Sequence, residues 1–242
     1  MRMCGRFSLR TTLEEVSRNF GAAADAIEDW VPSYNIAPTQ NVIAARPAGS
    51  GRELVLMHWG LIPSWYDDPT IGGRFINARA GSAHIKPTFR DAFWNRRCLI
   101  GADGFYEWRS VGGVKQPYYI RRVDGRPFGF AGLWERWRRG TGAPLESCTI
   151  LTTRPNALVE PLHDRMPVIV SPRDYDRWLD PMATELEDLH ALFEPASAEE
   201  LTAYPVSRLV NDPANDSPAC VDPEGYEPPP PPIELDLFGE EG

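Results

Sequence analysis

Lysine is nearly missing from this chain of 242 residues: of its 25 basic residues only Lys86 and Lys115 are lysines, and no basic residue occurs from Asn211 onward. That terminal stretch carries nine acidic residues, so the net charge of -9 belongs to it, while residues 1–210 balance 25 acidic groups against 25 basic ones. A neutral body excludes a strongly basic, sequence-independent duplex binder and leaves room for a local groove. The arginine bias fits bidentate phosphate contacts or a codon preference. No stretch approaches the ~20 apolar residues that cross a bilayer. No positive run followed by an apolar segment opens the chain either, so a cytoplasmic location without membrane partners is expected. Cys4, Cys98, Cys148 and Cys220 lack CxxC spacing, which argues against zinc and against a secreted disulfide framework. None of His58, His84 and His190 stands at metal-ligand spacing from another histidine, so neither a metal nor a cofactor is expected.

What is present reads as one α+β domain with a curved, largely antiparallel, barrel-like sheet flanked by short helices. Thr11 and Glu14 have capping-box spacing, and Leu13, Val16 and Phe20 share a helical face, which predicts a short helix after Arg10. "YNIAPTQNVIAARP" and "RELVLMHWGLIP" read as strands, and "KPTFRDAFWNRR" as a helix beginning near Pro87. Strands then dominate through "CLIGADGFYEWR", "QPYYIRRVDGRPFGFAGLWERW" and "ESCTILTTRP", with "VDGRP" a candidate hairpin turn. "SPRDYDRWLD" and "ATELEDLHALFEP" read as late helices before a last strand in "LTAYPVSRLV". The domain is expected to span residues 3–210. Residues 211–242, acidic and holding a run of five prolines, are expected to form a disordered tail. Its end, "IELDLF" at residues 233–238, is a short apolar cluster of the kind that peptide docking motifs present.

Cys4 stands close to the N-terminus, and a cysteine that becomes residue one carries a free amine and a thiol on one residue. Their reference pKa values, about 8 and about 8.5, leave both partly deprotonated near neutral pH. With an aldehyde the amine forms a Schiff base and the thiol closes on the same carbon, giving a five-membered thiazolidine. The alternative is an inert thiol in the first strand. Glu107, set among Phe105, Tyr106 and Trp108, is either a desolvated carboxyl suited to proton transfer or an outward strand residue paired with Arg109. His163 in "PLHDRMPVIV" is either a general acid or base or a histidine before a strand. Asn77 in "GGRFINARAGS" says little alone.

Taken in order, "MCGRFSL", "YNIAPTQ", "HWGLIPSW", "FINARAG", "GFYEW" and "LHDRMPVIV" resemble the motifs of the SRAP domain. This is the SOS response-associated peptidase family, which includes bacterial and human abasic-site DNA-protein crosslinkers. The resemblance runs from residue 3 to about 210. It implies a protein that senses abasic sites in single-stranded DNA, exposes its N-terminal cysteine by self-processing, and bonds that cysteine to the ring-opened sugar as a thiazolidine. Cys4 matches the reactive residue. Asn77 would hold the linkage, Glu107 would assist sugar opening and Schiff-base proton transfers, and His163 would be their acid-base partner. Arg6, Arg79 and Arg165 resemble phosphate-gripping positions, Trp65 the base-stacking wedge, and Thr152 a residue of the site's rim. Single strands are read by stacking and phosphate contacts, so little sequence preference is implied. The partner is abasic single-stranded DNA, the protein a monomer that joins the nucleoid when DNA is damaged. Other readings are a cysteine peptidase acting on other proteins and a non-covalent single-strand binding module.

The family's members begin Met-Cys and this chain begins Met-Arg-Met-Cys; either Met3 is the start, which the reading favours, or three residues are removed. "ELDLF" is similar to the bacterial sliding-clamp docking peptide, with Glu234 in place of the usual glutamine. Leu235, Leu237 and Phe238 are the residues that would dock.

Overall fold

A computed structural model describes residues 4–28, 30–139 and 142–225. In chain order the main elements are β1 (Phe7–Leu9), α1 (Leu13–Phe20), β2 (Ser33–Ile36), β3 (Asn41–Ala48), β4 (Gly51–Trp59), β5 (Asn77–Arg79), α2 (Ala80–Ala83) and α3 (Arg90–Asn95). There follow β6 (Arg97–Ala102), β7 (Gly104–Val111), β8 (Val114–Arg122), β9 (Phe128–Trp137), β10 (Leu145–Thr153), β11 (Met166–Pro167), β12 (Ile169–Val170), α4 (Tyr175–Leu179), α5 (Leu186–His190) and β13 (Leu201–Pro205).

The strands form two layers. In the first, β10, β4, β3, β6 and β9 pair in turn and β9 pairs back to β10, closing a small barrel. Such closure removes free sheet edges. The second is a five-stranded antiparallel sheet in the order β13-β8-β7-β1-β2. The Phe7 ring on β1 meets Trp59 edge-on at 4.9 Å and Phe130 at 5.7 Å, both barrel residues, and so joins the layers. The α+β class and the barrel-like sheet expected from the strand pattern are both present. No helix among the described residues is long and apolar enough to cross a membrane.

Several local expectations change. The cap of α1 is Thr12, whose hydroxyl accepts the Glu15 N–H, because Thr11 spends its N–H and hydroxyl on the buried Asp103 carboxylate. The helix expected near Pro87 begins at Arg90 after a turn in which Lys86 O accepts the Phe89 and Arg90 N–H groups. "VDGRP" does form a turn, with Gly125 at φ +71° and Asp124 accepting from Arg122 and the Arg126 N–H. It is not a hairpin: β8 pairs with β7 and β13, while β9 leaves for the barrel. Phe128 and Phe130 are buried there, so core burial outweighs pairing with the sequence neighbour. Residues 226–242 lie outside the described residues, and residues 211–225, expected to belong to the tail, instead lie against the second sheet. There the Asp216 carboxylate accepts the Ser33 hydroxyl and Tyr34 N–H, and Cys220 is buried. Leu235, Leu237 and Phe238 lie outside the described residues.

Arg97 fixes the helical layer to the barrel. Its buried guanidinium donates to the carbonyls of Phe93 at 2.8 Å, Trp178 at 2.7 Å and Asp180, satisfying groups that the ends of α3 and α4 leave open. Replacing it by methionine strands these acceptors. Arg97→Met is expected to lower the unfolding free energy by about 3 kcal/mol in denaturant titration, with Arg97→Lys recovering only part.

Candidate active site

The second sheet delivers the two central groups. β1 runs antiparallel to β7 with Phe7 opposite Phe105, and the Tyr106 N–H donates to Arg6 O at 3.0 Å. The residues before β1 therefore pass alongside Glu107. The backbone nitrogen of Cys4 donates to Glu107 Oε1 at 2.8 Å. Cys4 is fully buried and holds φ +33°, left-handed backbone that a non-glycine residue adopts only when its surroundings compel it. Glu107 is 1% exposed. It faces inward, away from the arrangement with Arg109 that the sequence left open.

Burial sets the protonation of both groups. It pushes the Glu107 carboxyl up to about 8; the N–H groups of Cys4 and Trp108 oppose the rise and the Asp164 charge adds to it. At neutral pH this carboxyl is largely an acid with a proton to give. Burial, then the Glu107 charge, also raises the Cys4 thiol well above its usual value. The partly deprotonated thiol expected of an N-terminal cysteine is not the state of Cys4 within the chain, where burial favours the protonated sulfur.

The barrel supplies the opposite wall. β5 lies parallel to β10, with Asn77 opposite Ile150 and Arg79 opposite Thr152. Asn77 Nδ2 lies 3.4 Å from Cys4 O, so the least informative candidate in the sequence reaches Cys4. Thr152 is buried and donates to Ala78 O, and Arg165 Nη2 donates to Thr152 O at 2.5 Å. Burial, then the charge of neighbouring Arg79, lowers the Arg165 pKa, while Asp164 opposes the fall. Arg79, at the end of β5, and Arg165 are thus close enough for their charges to act on each other.

His163 stands in the turn before β11. Its Nδ1 lies 3.1 Å from the Arg165 nitrogen and 2.9 Å from the Asp164 carboxylate. Among the described residues no hydrogen bond joins it to Cys4 or Glu107; its neighbour Asp164 acts on Glu107 through charge alone. Arg6 is engaged within the protein, Nη1 donating to Asn35 Oδ1 at 2.7 Å and to Val210 O at 2.8 Å. Trp65 is 51% exposed on the loop after β4. That loop is braced by Trp137 Nε1 on Tyr66 O and by Arg139 on Asp67. Its base is a backbone crossing of Gly60, at φ +141°, over Gly72, where a Cβ on either would stand 2.7 Å or less from the other's carbonyl oxygen. Among the described residues no three His, Cys, Asp or Glu side chains converge to hold a metal.

Sequence reasoning missed Asp164, whose effect on Glu107 needs the fold. It also passed over Asn35, although "YNIAPTQ" contains it.

Residues 3–213 match the family described as SOS response associated peptidase (SRAP). The chain is 42% identical over 222 residues to the abasic site processing protein YoqW of Bacillus subtilis (strain 168), covering 91% of this chain and 99% of the relative. It is 30% identical over 233 residues to the abasic site processing protein YedK of Escherichia coli (strain K12), covering 91% of this chain and all of the relative. A crystal structure of a protein from Bacteroides thetaiotaomicron superposes with a TM-score of 0.83 at 27% identity, covering 91% of this chain and 99% of the other.

The raised Glu107 pKa carries a stability signature. Between its ordinary 4.5 and about 8 the folded protein keeps a proton that the unfolded chain has released, so stability falls as pH rises across that window. Glu107→Gln removes this dependence. In thermal melts from pH 4.5 to 9 the wild type is expected to lose stability relative to the variant as pH rises to about 8, and to run parallel to it beyond.

Proposed function

This chain belongs to the SOS response associated peptidase (SRAP) family, and on that footing we propose that it processes abasic sites in single-stranded DNA by crosslinking to them through Cys4. The observation that carries the reading is the buried pairing of the Cys4 nitrogen with the Glu107 carboxyl at 2.8 Å. The names of its relatives, which are abasic site processing proteins, support the substrate.

The chemistry starts by freeing the amine. Hydrolysis of the Met3–Cys4 peptide bond consumes one water and leaves a carboxylate on Met3 and an amine on Cys4, next to Glu107. That amine adds to the aldehyde of the opened sugar. The protonated Glu107 carboxyl then gives its proton to the departing hydroxyl, releasing one water and an iminium. The Cys4 sulfur adds to the iminium carbon as its proton passes to the Glu107 carboxylate, closing the thiazolidine and restoring the acid. Net, one water leaves per linkage. A thiol kept protonated by burial stays inactive until the iminium stands beside it, and ring closure then gains from proximity.

Asn77 holds the Cys4 end of the linkage through its contact with Cys4 O. Arg79 and Arg165 take the flanking phosphate, Thr152 orients Arg165, and Trp65 stacks on a base beside the lesion. Arg6 contributes its charge from a guanidinium anchored on Asn35. His163 acts on proton transfer through the Asp164 side of the site. Action on other proteins is disfavoured by the burial that supports the crosslinking reading, because a buried protonated thiol is a poor nucleophile toward an external peptide. The protein would work in the cytoplasm on the nucleoid.

Intact mass after incubation with an abasic single-stranded oligonucleotide tests the proposal. A chain beginning at Cys4 that gains the oligonucleotide mass less one water is expected. Cys4→Ala should gain nothing, and Cys4→Ser should gain mass only after borohydride reduction. A wild-type chain processed to Cys4 that gains no mass would overturn the reading. A sliding clamp is the proposed partner of the 233–238 peptide, and clamp pull-down should be lost in the Leu237→Ala, Phe238→Ala double variant.

A further inference from the structure

Asn35, on β2, takes no part in the chemistry above, yet it is 1% exposed and saturated with partners. Its Oδ1 accepts from Arg6 Nη1 at 2.7 Å. Its Nδ2 faces three carbonyls of one segment, Asn215 O at 2.6 Å, Asp212 O at 3.0 Å and Val210 O at 3.3 Å. Arg6 Nη1 reaches Val210 O as well, at 2.8 Å. One amide thus ties a residue two places from Cys4 to a segment some 200 positions further along the chain.

That segment, residues 207–225, also grips the other arm of the site. Trp108, next to Glu107, donates its indole N–H to Asn211 Oδ1 at 2.7 Å. The segment is fastened again where the Asp216 carboxylate accepts the Ser33 hydroxyl at 2.8 Å and the Tyr34 N–H at 2.5 Å, and where the Tyr204 hydroxyl donates to Val221 O at 3.0 Å. Its buried Cys220 packs in a small cluster with Tyr106, Tyr119, Val206, Val210 and Val221. These bonds span both arms, and Cys4 sits in left-handed backbone that its own sequence does not favour.

We infer that Asn35 is a positioning residue for the Cys4–Glu107 pair: it locks the 207–225 segment across Arg6 and Trp108, and that clasp holds the Cys4 nitrogen against the carboxyl. The inference rests on the crosslinking reading for its consequence in catalysis, and on hydrogen bonds alone for its mechanics. A stretch that looks like the start of a tail becomes part of the active site.

The test compares wild type, Asn35→Leu and Asp216→Ala as full-length chains. Native-state alkylation by iodoacetamide is followed at each of the four cysteines by peptide mass, beside crosslinking to an abasic oligonucleotide. In both variants Cys4 and Cys220 are expected to alkylate about tenfold faster, as local opening of the clasp requires, with Cys98 and Cys148 of the barrel unchanged. Crosslinking should slow at saturating oligonucleotide in both variants, while in Asp216→Ala, which leaves the Arg6–Asn35 bond in place, affinity for an intact single strand holds. Faster alkylation of Cys220 with no change at Cys4 would overturn the inference, and so would four thiols that speed up together. Should Asn35→Leu fail to fold, Asp216→Ala, an exposed carboxylate bonded to Ser33 and Tyr34 and not to Arg6, decides the matter. A wild type that forms no crosslink would contradict the function, and the thiol pattern would still judge the clasp.

Discussion

The hydrogen bond from the Cys4 nitrogen to the Glu107 carboxyl is the contact on which the rest of the arrangement depends. Burial, with the Asp164 charge beside it, keeps a proton on this carboxyl up to about pH 8, and the N–H groups of Cys4 and Trp108 ease that burial. The two effects oppose each other: each N–H that eases burial also pulls the pKa down. The balance leaves Glu107 largely protonated at neutral pH, next to the Cys4 nitrogen.

Both layers serve that contact. The second sheet sets β1 beside β7, and the Phe7 ring, pressed on Trp59 and Phe130, keeps the Cys4 turn from sliding along the barrel. The closed barrel holds β5 against β10, bringing Asn77 to Cys4 and Arg79 to Arg165. The candidate site is thus a seam between two layers, with Cys4 and Glu107 deep inside it and Arg79 and Trp65 toward solvent. Such a division suits a chain whose body is electrically neutral: in the proposed function a few arginines at one seam would take the place of a general basic surface.

Much of this was legible in the sequence because the signals are local. The strand segments, the cap region of α1 and Cys4 all stand in short motifs. What stayed hidden depends on partners distant in the chain. Alternation along β7 cannot say which face is buried when Phe105, Tyr106 and Trp108 surround Glu107. The turn at Asp124 and Gly125 is a local feature, but the destination of β9 is decided by burial of Phe128 and Phe130 in the barrel. Residues 211–225 look like tail because their hold on the body lies in backbone carbonyls gathered by Asn35, which composition does not register. Asp164 carries a charge visible in the sequence and an effect on Glu107 that only proximity reveals.

The account turns on Glu107 being neutral at physiological pH while it faces the Cys4 nitrogen. The most direct measurement is an NMR titration of its side-chain carboxyl carbon in the folded protein. The structure predicts a midpoint of about 8, moving lower in Asp164→Asn as the neighbouring charge is removed. A midpoint near the ordinary 4.5 would mean an ionised carboxylate at neutral pH and would contradict the assignment of Glu107 as the acid of the reaction.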